Sequence, residues 1–330
     1  SHRWAPENVV MRAVVTGGAG FIGSHLVDAL LRRGEAGTDI LVIDDLSRGR
    51  LANLEGPLRR GTRLAELDIE DGPAVHEALR AFRPELVFHL AAQIDVRSSM
   101  DEPARDAAIN VLGSINVCAA AHAAGARRVI NTSTGGAIYG PTEVVPTPET
   151  ITADPISAYG LSKLTAERYA RWFQLARGLD VVTLRYGNVY GPRQDPHGDA
   201  GVITLFCDRL LAGRRPVIYG DGRQTRDFVF VTDVAAANLA AATARELAHR
   251  EYNIGTATEV SVLELVREIA GTAGVDPSEF EPEFAPARPG ELLRSCLDVT
   301  RARRDLDLPP PTPLPEGLAR TLEAMRAPRA

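Results

Sequence analysis

A tyrosine and a lysine stand four residues apart in "AYGLSK", at Tyr159 and Lys163. The surrounding stretch "ADPISAYGLSKLTAERYARWF" puts Pro155 ahead of them, with good helix formers and apolar residues at helical spacing behind. Residues i and i+4 share one helix face, so phenol and ammonium point the same way. Such a pair could move a proton, or it could be an amphipathic pair with a snorkelling lysine; spacing alone leaves both open. A second group is more specific. In "TGGAGFIGSH", Gly17, Gly20 and Gly23 follow an apolar strand and open a helix. Glycines there let the backbone turn tightly and approach a pyrophosphate, which rests on the helix N-terminus. The next strand ends in "IDD" (43–45), where Asp44 is placed to bond the adenine ribose hydroxyls. An acid there repels a 2′-phosphate, which favours NAD over NADP; a helix cap or turn aspartate is the alternative.

These residues need a frame. "RAVVTGG" (12–18), "ILVIDDL" (40–46), "RLAELDI" (63–69), "ELVFHLAAQ" (85–93), "RRVINTST" (127–134) and "DVVTLRYGNVYG" (180–191) read as strands. Helical patterns such as "PAVHEALRAF" and "NVLGSINVCAAAHAAG" fall between them. The strands are nearly continuous in apolar residues, as expected when both faces are buried. This alternation predicts an α/β fold, a doubly wound parallel sheet. Beyond Pro192 glycine and proline become frequent, and a smaller α/β unit is expected. The expected division is an NAD-binding domain over 11–182 with a return segment near 228–256, where "FVFVTDV" reads as a strand and "EYNIGT" also returns. A substrate domain is expected over 183–330.

Composition narrows the class. The chain has 330 residues and a net charge of -6. A nucleic-acid binder would usually carry a basic surplus. Cys118, Cys207 and Cys296 form no disulfide or zinc spacing and read as small buried hydrophobes. No apolar run approaches a membrane span and no signal peptide precedes the first strand, so a cytoplasmic location is expected. Met11 looks like a natural start.

Taken together, "TGGAGFIGSH", "LDI", "FHLAAQIDV", "NTSTGGAIYG", "AYGLSK", "LRYGNVYGPRQDPHG", "GDGRQTRDFVFVTDV", "YNIGT" and "RPGELLRSCLD" resemble the extended short-chain dehydrogenase/reductase family, and within it the UDP-glucose 4-epimerase group. The resemblance runs from about residue 12 to 298. It implies a Rossmann-type sheet and NAD as cofactor. It implies inversion of carbon 4 of a UDP-sugar through a transient 4-keto sugar, with UDP-glucose and UDP-galactose as the pair interconverted. Tyr159 becomes the base, with Lys163 and the positive nicotinamide lowering a phenol pKa ordinarily near 10. Thr134 becomes the partner of the reacting hydroxyl, with Ser133 as the alternative. Related 4,6-dehydratases carry an Asp-Glu pair just after this threonine; here Gly135 and Gly136 stand there, which argues against dehydration.

The resemblance also implies cofactor contacts from Phe21 and Ile22 in the loop, Asp68 and Ile69 at the adenine, and Leu90, Ala91 and Ala92 at the pyrophosphate and ribose. Asn110 would fix the neighbouring loop and Tyr186 would border the nicotinamide. For the apolar members, core packing is the rival reading. On the substrate side, Arg226, Arg288 and Asn188 would bind the diphosphate, Asp227 would orient Arg226, Glu291 would hold the uridine ribose, and Val217 and Tyr219 would pack on the uracil. Ser295 would border the sugar's 2-substituent, where a small residue admits an N-acetyl group. Asp195, His197 and Asp199 sit on a glycine-rich loop, and no metal is expected. A homodimer through a four-helix bundle is expected. The alternatives are an epimerase of UDP-glucuronate, UDP-N-acetylglucosamine or a TDP-sugar, or a 4-ketoreductase. A non-catalytic NAD-sensing protein would have no need of the Tyr/Lys pair.

Overall fold

The structure, a computed structural model, describes residues 11–33, 37–196, 201–288 and 292–327. Its centre is a seven-stranded sheet: β1 (Met11–Thr16), β2 (Thr38–Asp44), β3 (Arg63–Glu66), β4 (Leu86–His89), β5 (Arg128–Thr134), β6 (Asp180–Tyr186) and β7 (Glu251–Ile254). The strands lie side by side in the order β7-β6-β5-β4-β1-β2-β3, and every pairing is parallel. The order reverses between β1 and β4, and a crevice opens there at the carboxyl ends of the strands.

Successive strand residues serve opposite faces, which is why the strands are apolar throughout. Val14 and Val181 enter one core with Val117, Val129 and Phe173. Their neighbours Val15 and Val182 enter the other with Leu26, Leu30 and Tyr252. Each such fully buried aliphatic side chain contributes about 1.5–3 kcal/mol relative to exposure. Cys118, Cys207 and Cys296 are buried thiols, as their isolation in the sequence suggests.

The second half has its own core, built from Tyr190, Phe206, Ile218, Phe230, Leu265 and Leu318. Two short parallel pairs support it, Asn188–Tyr190 with Phe228–Phe230 and Val217–Tyr219 with Glu283–Ala285. Two expectations need correction. A domain boundary at 182/183 would cut β6, whose Leu184 is fully buried in the sheet core. The chain leaves the sheet only after Gly187, whose amide still bonds the Ile254 carbonyl at 2.8 Å. "FVFVTDV" is a strand only over Phe228–Phe230; at Val231 it turns into the helix Val231–Thr243, and β7 follows. Among the described residues, no helix is long and apolar enough to cross a membrane.

Candidate active site

Tyr159 lies in the first turn of the helix Ala158–Arg177. Ser157 caps that helix, its hydroxyl accepting from the Gly160 amide at 3.1 Å, and Gly178 ends it in the left-handed conformation. The Tyr159 amide donates to Ser99 Oγ at 3.0 Å, which ties the helix start to the short helix Val96–Asp101. Gly160 is required by contact: a Cβ there would lie 2.6 Å from the Ala137 carbonyl oxygen. The Tyr159 phenol therefore stands half-buried at the positive end of a 20-residue helix, where the macrodipole favours a developing negative charge.

Lys163, one turn on, is 3% exposed. Burial pulls its pKa down to about 8, against the opposing charges of Glu167 and Asp106. Glu167 is clasped by Arg185 of β6, whose Nη2 donates at 2.7 Å. Arg185 also donates to the Tyr139 hydroxyl at 2.9 Å, and Tyr139 donates to Asn253 of β7 at 2.7 Å. One buried chain of contacts thus locks the Tyr/Lys helix to β6, to β7 and to the turn after β5.

The end of β5 resolves two hydroxyls into different surroundings. Ser133 is buried with its Oγ unpartnered, whereas Thr134 is half-buried and faces outward. A Cβ placed on Gly136 would meet Asn188 Oδ1 at 3.7 Å, Thr134 Oγ1 at 3.9 Å and Ser295 Oγ at 4.0 Å. Three polar groups from distant parts of the sequence therefore surround one glycine. A cleft of about 400 Å³ adjoins them, lined by Asn188, Val217, Tyr219, Arg226, Arg288 and Arg97 among others. The Arg288 guanidinium lies 3.8 Å above the Tyr219 ring, and Arg226 Nη1 donates to the carbonyls of Thr225 and Leu292 at 2.7 and 2.9 Å. Glu291 lies outside the described residues, as do His197 and Asp199. Asp195 meets Arg50 at 2.6 Å.

Arg97 and Ser99 escaped the sequence reading, because "VRSSM" carries no signal beyond a short polar helix. Asp227 does something other than orient Arg226. Its carboxylate accepts from the amides of Thr256 at 2.7 Å, Ala257 at 3.2 Å and Leu297 at 3.2 Å, and so joins three segments beneath the cleft. Burial raises its pKa against these bonds.

The glycine loop packs so tightly that two of its glycines admit no side chain. A Cβ on Gly23 would sit 2.1 Å from the Gly17 carbonyl oxygen; Gly17 has φ +70° and would meet the Ala91 amide at 2.7 Å. Gly20 instead would meet only the Gly17 carbonyl oxygen, at 3.2 Å, so its outer side opens to free space. Asp44 ends β2 with Oδ2 accepting from Ala19 N and Oδ1 from Leu46 N, both at 2.9 Å. It is thus a turn aspartate as well as a candidate ribose ligand, since each carboxylate oxygen retains a further lone pair. Burial raises its pKa against those two amides.

The remaining positions divide. The amides of Leu90 and Ala91 donate to Thr16 Oγ1 at 3.2 Å, and Ala92, Phe21 and Ile22 are half-buried at the same edge. Asp68 accepts from the Glu70 amide at 2.9 Å, while Ile69 is buried in the core. Asn110 brackets Gln93, donating to its carbonyl and accepting from its amide at 2.9 Å. Tyr186 is 4% exposed, its hydroxyl held by Thr132 at 3.2 Å and Asn238 at 2.7 Å, on the opposite side of β6 from Arg185. The open side of Gly20, the outward edge at 90–92 and the acid ending β2 fit a dinucleotide laid across the crevice.

Known proteins share this architecture. The sequence pattern of the NAD dependent epimerase/dehydratase family matches residues 13–255. A UDP-glucose 4-epimerase of Mycolicibacterium smegmatis is 45% identical over 317 residues, covering 96% of this chain and 99% of that protein. The crystal structure of UDP-glucose 4-epimerase from Thermotoga maritima with UDP-glucose is 44% identical, with a TM-score of 0.89 over 96% of this chain and 99% of that one. The Thermus thermophilus UDP-glucose 4-epimerase in complex with NAD is 39% identical, with a TM-score of 0.87 over 96% and 99%. Agreement at this level, along nearly the full length of proteins folded on the same frame, makes this chain a member of the NAD dependent epimerase/dehydratase family.

Proposed function

We propose that the protein interconverts UDP-glucose and UDP-galactose by inverting carbon 4. The observation that carries this reading is the meeting of Thr134, Asn188 and Ser295 around Gly136. Hydroxyl and amide groups gather where a hydroxyl would react, and glycines stand at 135 and 136, where a dehydratase-type acid pair would be expected. The glycine loop, Asp44 and the edge at 90–92 would hold NAD, with Asn110 fixing the adjoining loop. When bound, NAD supplies a reversible hydride acceptor at carbon 4. Tyr159 takes the proton of the 4-hydroxyl and later returns it. Lys163 and the helix N-terminus stabilise the phenolate in between. Thr134 hydrogen-bonds the same oxygen and orients it. Arg226, Arg288 and Asn188 hold the diphosphate, for which the planar guanidinium fork is suited. Gly136 leaves the sugar room to present either face.

The test is incubation with a panel of UDP- and TDP-sugars, with no added reductant, following carbon 4 by NMR. UDP-glucose and UDP-galactose should equilibrate, and NAD should be recovered from the denatured protein. A requirement for stoichiometric NADPH, or no inversion of either sugar, would sink the reading. The small Ser295 side chain supports UDP-N-acetylglucosamine as a further substrate in the same panel.

The exposed apolar side chains of the Tyr/Lys helix support a second copy of the chain as partner. Leu161, Trp172 and Leu175 are 57%, 46% and 71% exposed, and Leu112 on the preceding helical segment is 57% exposed. Two such helix pairs would form a four-helix bundle.

A further inference from the structure

Of the 37 lysines and arginines in the chain, only Lys163 is a lysine. The single ammonium is therefore placed at the one position where a buried, titratable cation is needed, since arginine stays charged and would not respond. A buried ammonium is costly unless a carboxylate pairs with it. Two buried carboxylates act on the charge of Lys163, and they are not equivalent. Glu167 is already clasped by Arg185, through contacts of 3.1, 3.3 and 2.7 Å. Asp106, on the short helix Pro103–Ala107, is 1% exposed. Its Oδ1 accepts only from neutral amides, Gln93 Nε2 and Asn110 Nδ2, each at 3.1 Å. Its Oδ2 is buried and has no hydrogen-bond partner among the described residues. Two amides do not neutralise a charge, so this carboxylate needs a cation. Asn110 also donates to Ser162 Oγ at 3.1 Å, which fixes Asp106 against the turn that carries Lys163.

We propose that Asp106 is a positioning residue of Lys163: its open carboxylate oxygen is a buried counter-charge that, with Glu167, keeps the chain's only lysine protonated. Of the other groups around Lys163, Glu167 adds the larger charge effect, but its carboxylate is already paired with Arg185. Tyr159 shares the helix of Lys163. His89 of β4 is held neutral between Thr16 and Ser114, with hydrogen bonds of 2.8 and 2.9 Å. Arg185 of β6 and Tyr139 after β5 are committed to Glu167 and Asn253. Arg97 and Asp101 of the short helix Val96–Asp101, and His122 on the helix Gly113–Ala123, are exposed to solvent. Burial lowers the Lys163 pKa to about 8, while Glu167 and Asp106 hold it up. The inference rests on the proposed reaction for its consequence, not for its test.

A single lysine makes the test direct. Protein grown on lysine carbon-13-labelled at Cε shows one lysine side-chain resonance, and its pH titration reports Lys163 in the protein as purified. Asp106→Asn keeps the shape and both amide contacts but removes the charge. The Lys163 midpoint should fall by about one pH unit or more, the scale expected for losing a nearby opposite charge. The alkaline limb of UDP-glucose epimerisation should move down with it. Asp106→Glu should restore the higher midpoint. If Asn at 106 prevents folding, Asp106→Ser removes the same charge with less bulk, and the same resonance reads the result. An unmoved midpoint in a folded charge-removed variant overturns the proposal, and marks Asp106 as merely structural if the melting temperature alone drops. A moved midpoint in a protein inactive on every UDP-sugar leaves the positioning role standing and overturns the proposed reaction.

Discussion

In the proposed reaction Tyr159 would act through a single oxygen, and this makes the sharpest prediction. The residue sits at the start of its helix, and only its hydroxyl would exchange a proton. Tyr159→Phe should therefore retain NAD and UDP-sugar binding and lose turnover by about 10²–10⁴-fold, the usual contribution of a general acid–base group. Retention of more than about a tenth of the rate would assign the base elsewhere. At this scale the sequence was legible where spacing itself carries the chemistry. Tyr159 and Lys163 share a face because i and i+4 must, and Gly17 and Gly23 are glycines because a Cβ would strike backbone. It was illegible where a role depends on contacts brought from afar. Nothing in "VRSSM" reveals that Ser99 holds the Tyr159 amide. Nothing in "TRDF" shows that Asp227 turns to the amides of Thr256, Ala257 and Leu297 instead of its neighbour. The difference in surroundings between Ser133 and Thr134 comes from the pleat: adjacent strand residues face opposite ways, and Thr134 Oγ1 lies beside Gly136 while Ser133 is buried.

At the scale of elements, the strands of the sheet were readable because both faces are apolar, and the helix Val231–Thr243 was missed for a related reason. It is rich in alanine and lies packed beside the helix Phe21–Arg33, and the β-branched and aromatic run Phe228–Val231 leads straight into its first turn. Elements are joined here by two histidines, His89 buried and His25 half-buried, whose charge state matters. His89 links β1 to the helix Gly113–Ala123 through Thr16 and Ser114. His25, on the helix Phe21–Arg33, bonds the Pro192 carbonyl at 2.9 Å. Burial lowers their pKa values to about 3 and about 4, from an ordinary 6.5. A depressed folded-state pKa means that the unfolded chain takes up protons first as pH falls. The stability these neutral rings contribute is whole above pH 6.5 and is lost progressively toward pH 4 and 3. Each histidine should cost about 1.4 kcal/mol per pH unit in that window. Urea unfolding at steps between pH 7.5 and 5, above the range where most carboxylates titrate, should show the decline. A flat profile there would mean that the two rings are charged or solvated in the folded protein.

At the scale of the whole molecule, the helix Ala158–Arg177 carries exposed apolar side chains beside its buried stripe. Ser162, Ala166, Ala170 and Phe173 face the sheet and are buried, the stripe an amphipathic helix needs. Leu161, Tyr169, Trp172 and Leu175 form a second stripe on the outer side, exposed by 57%, 41%, 46% and 71%. Single exposed hydrophobes are ordinary, but a contiguous apolar face marks an interaction surface. Burial of a leucine or larger side chain gains about 1.5–3 kcal/mol each, and a self-complementary pairing counts every side chain twice. Tyr159 lies in the first turn of the same helix, so the interface would also brace the element that carries it. Light scattering at micromolar concentration should accordingly give twice the chain's 35.5 kDa. The pair Trp172→Glu and Leu175→Glu places charge in the middle and at the end of the outer stripe, and of the buried stripe disturbs only the edge contact of Trp172 with Phe173. That variant should run as a monomer with its far-ultraviolet helical signature and cooperative melting retained. A monomeric mass for the unaltered protein, or an unchanged dimer in the charged variant, would move the interface off this helix.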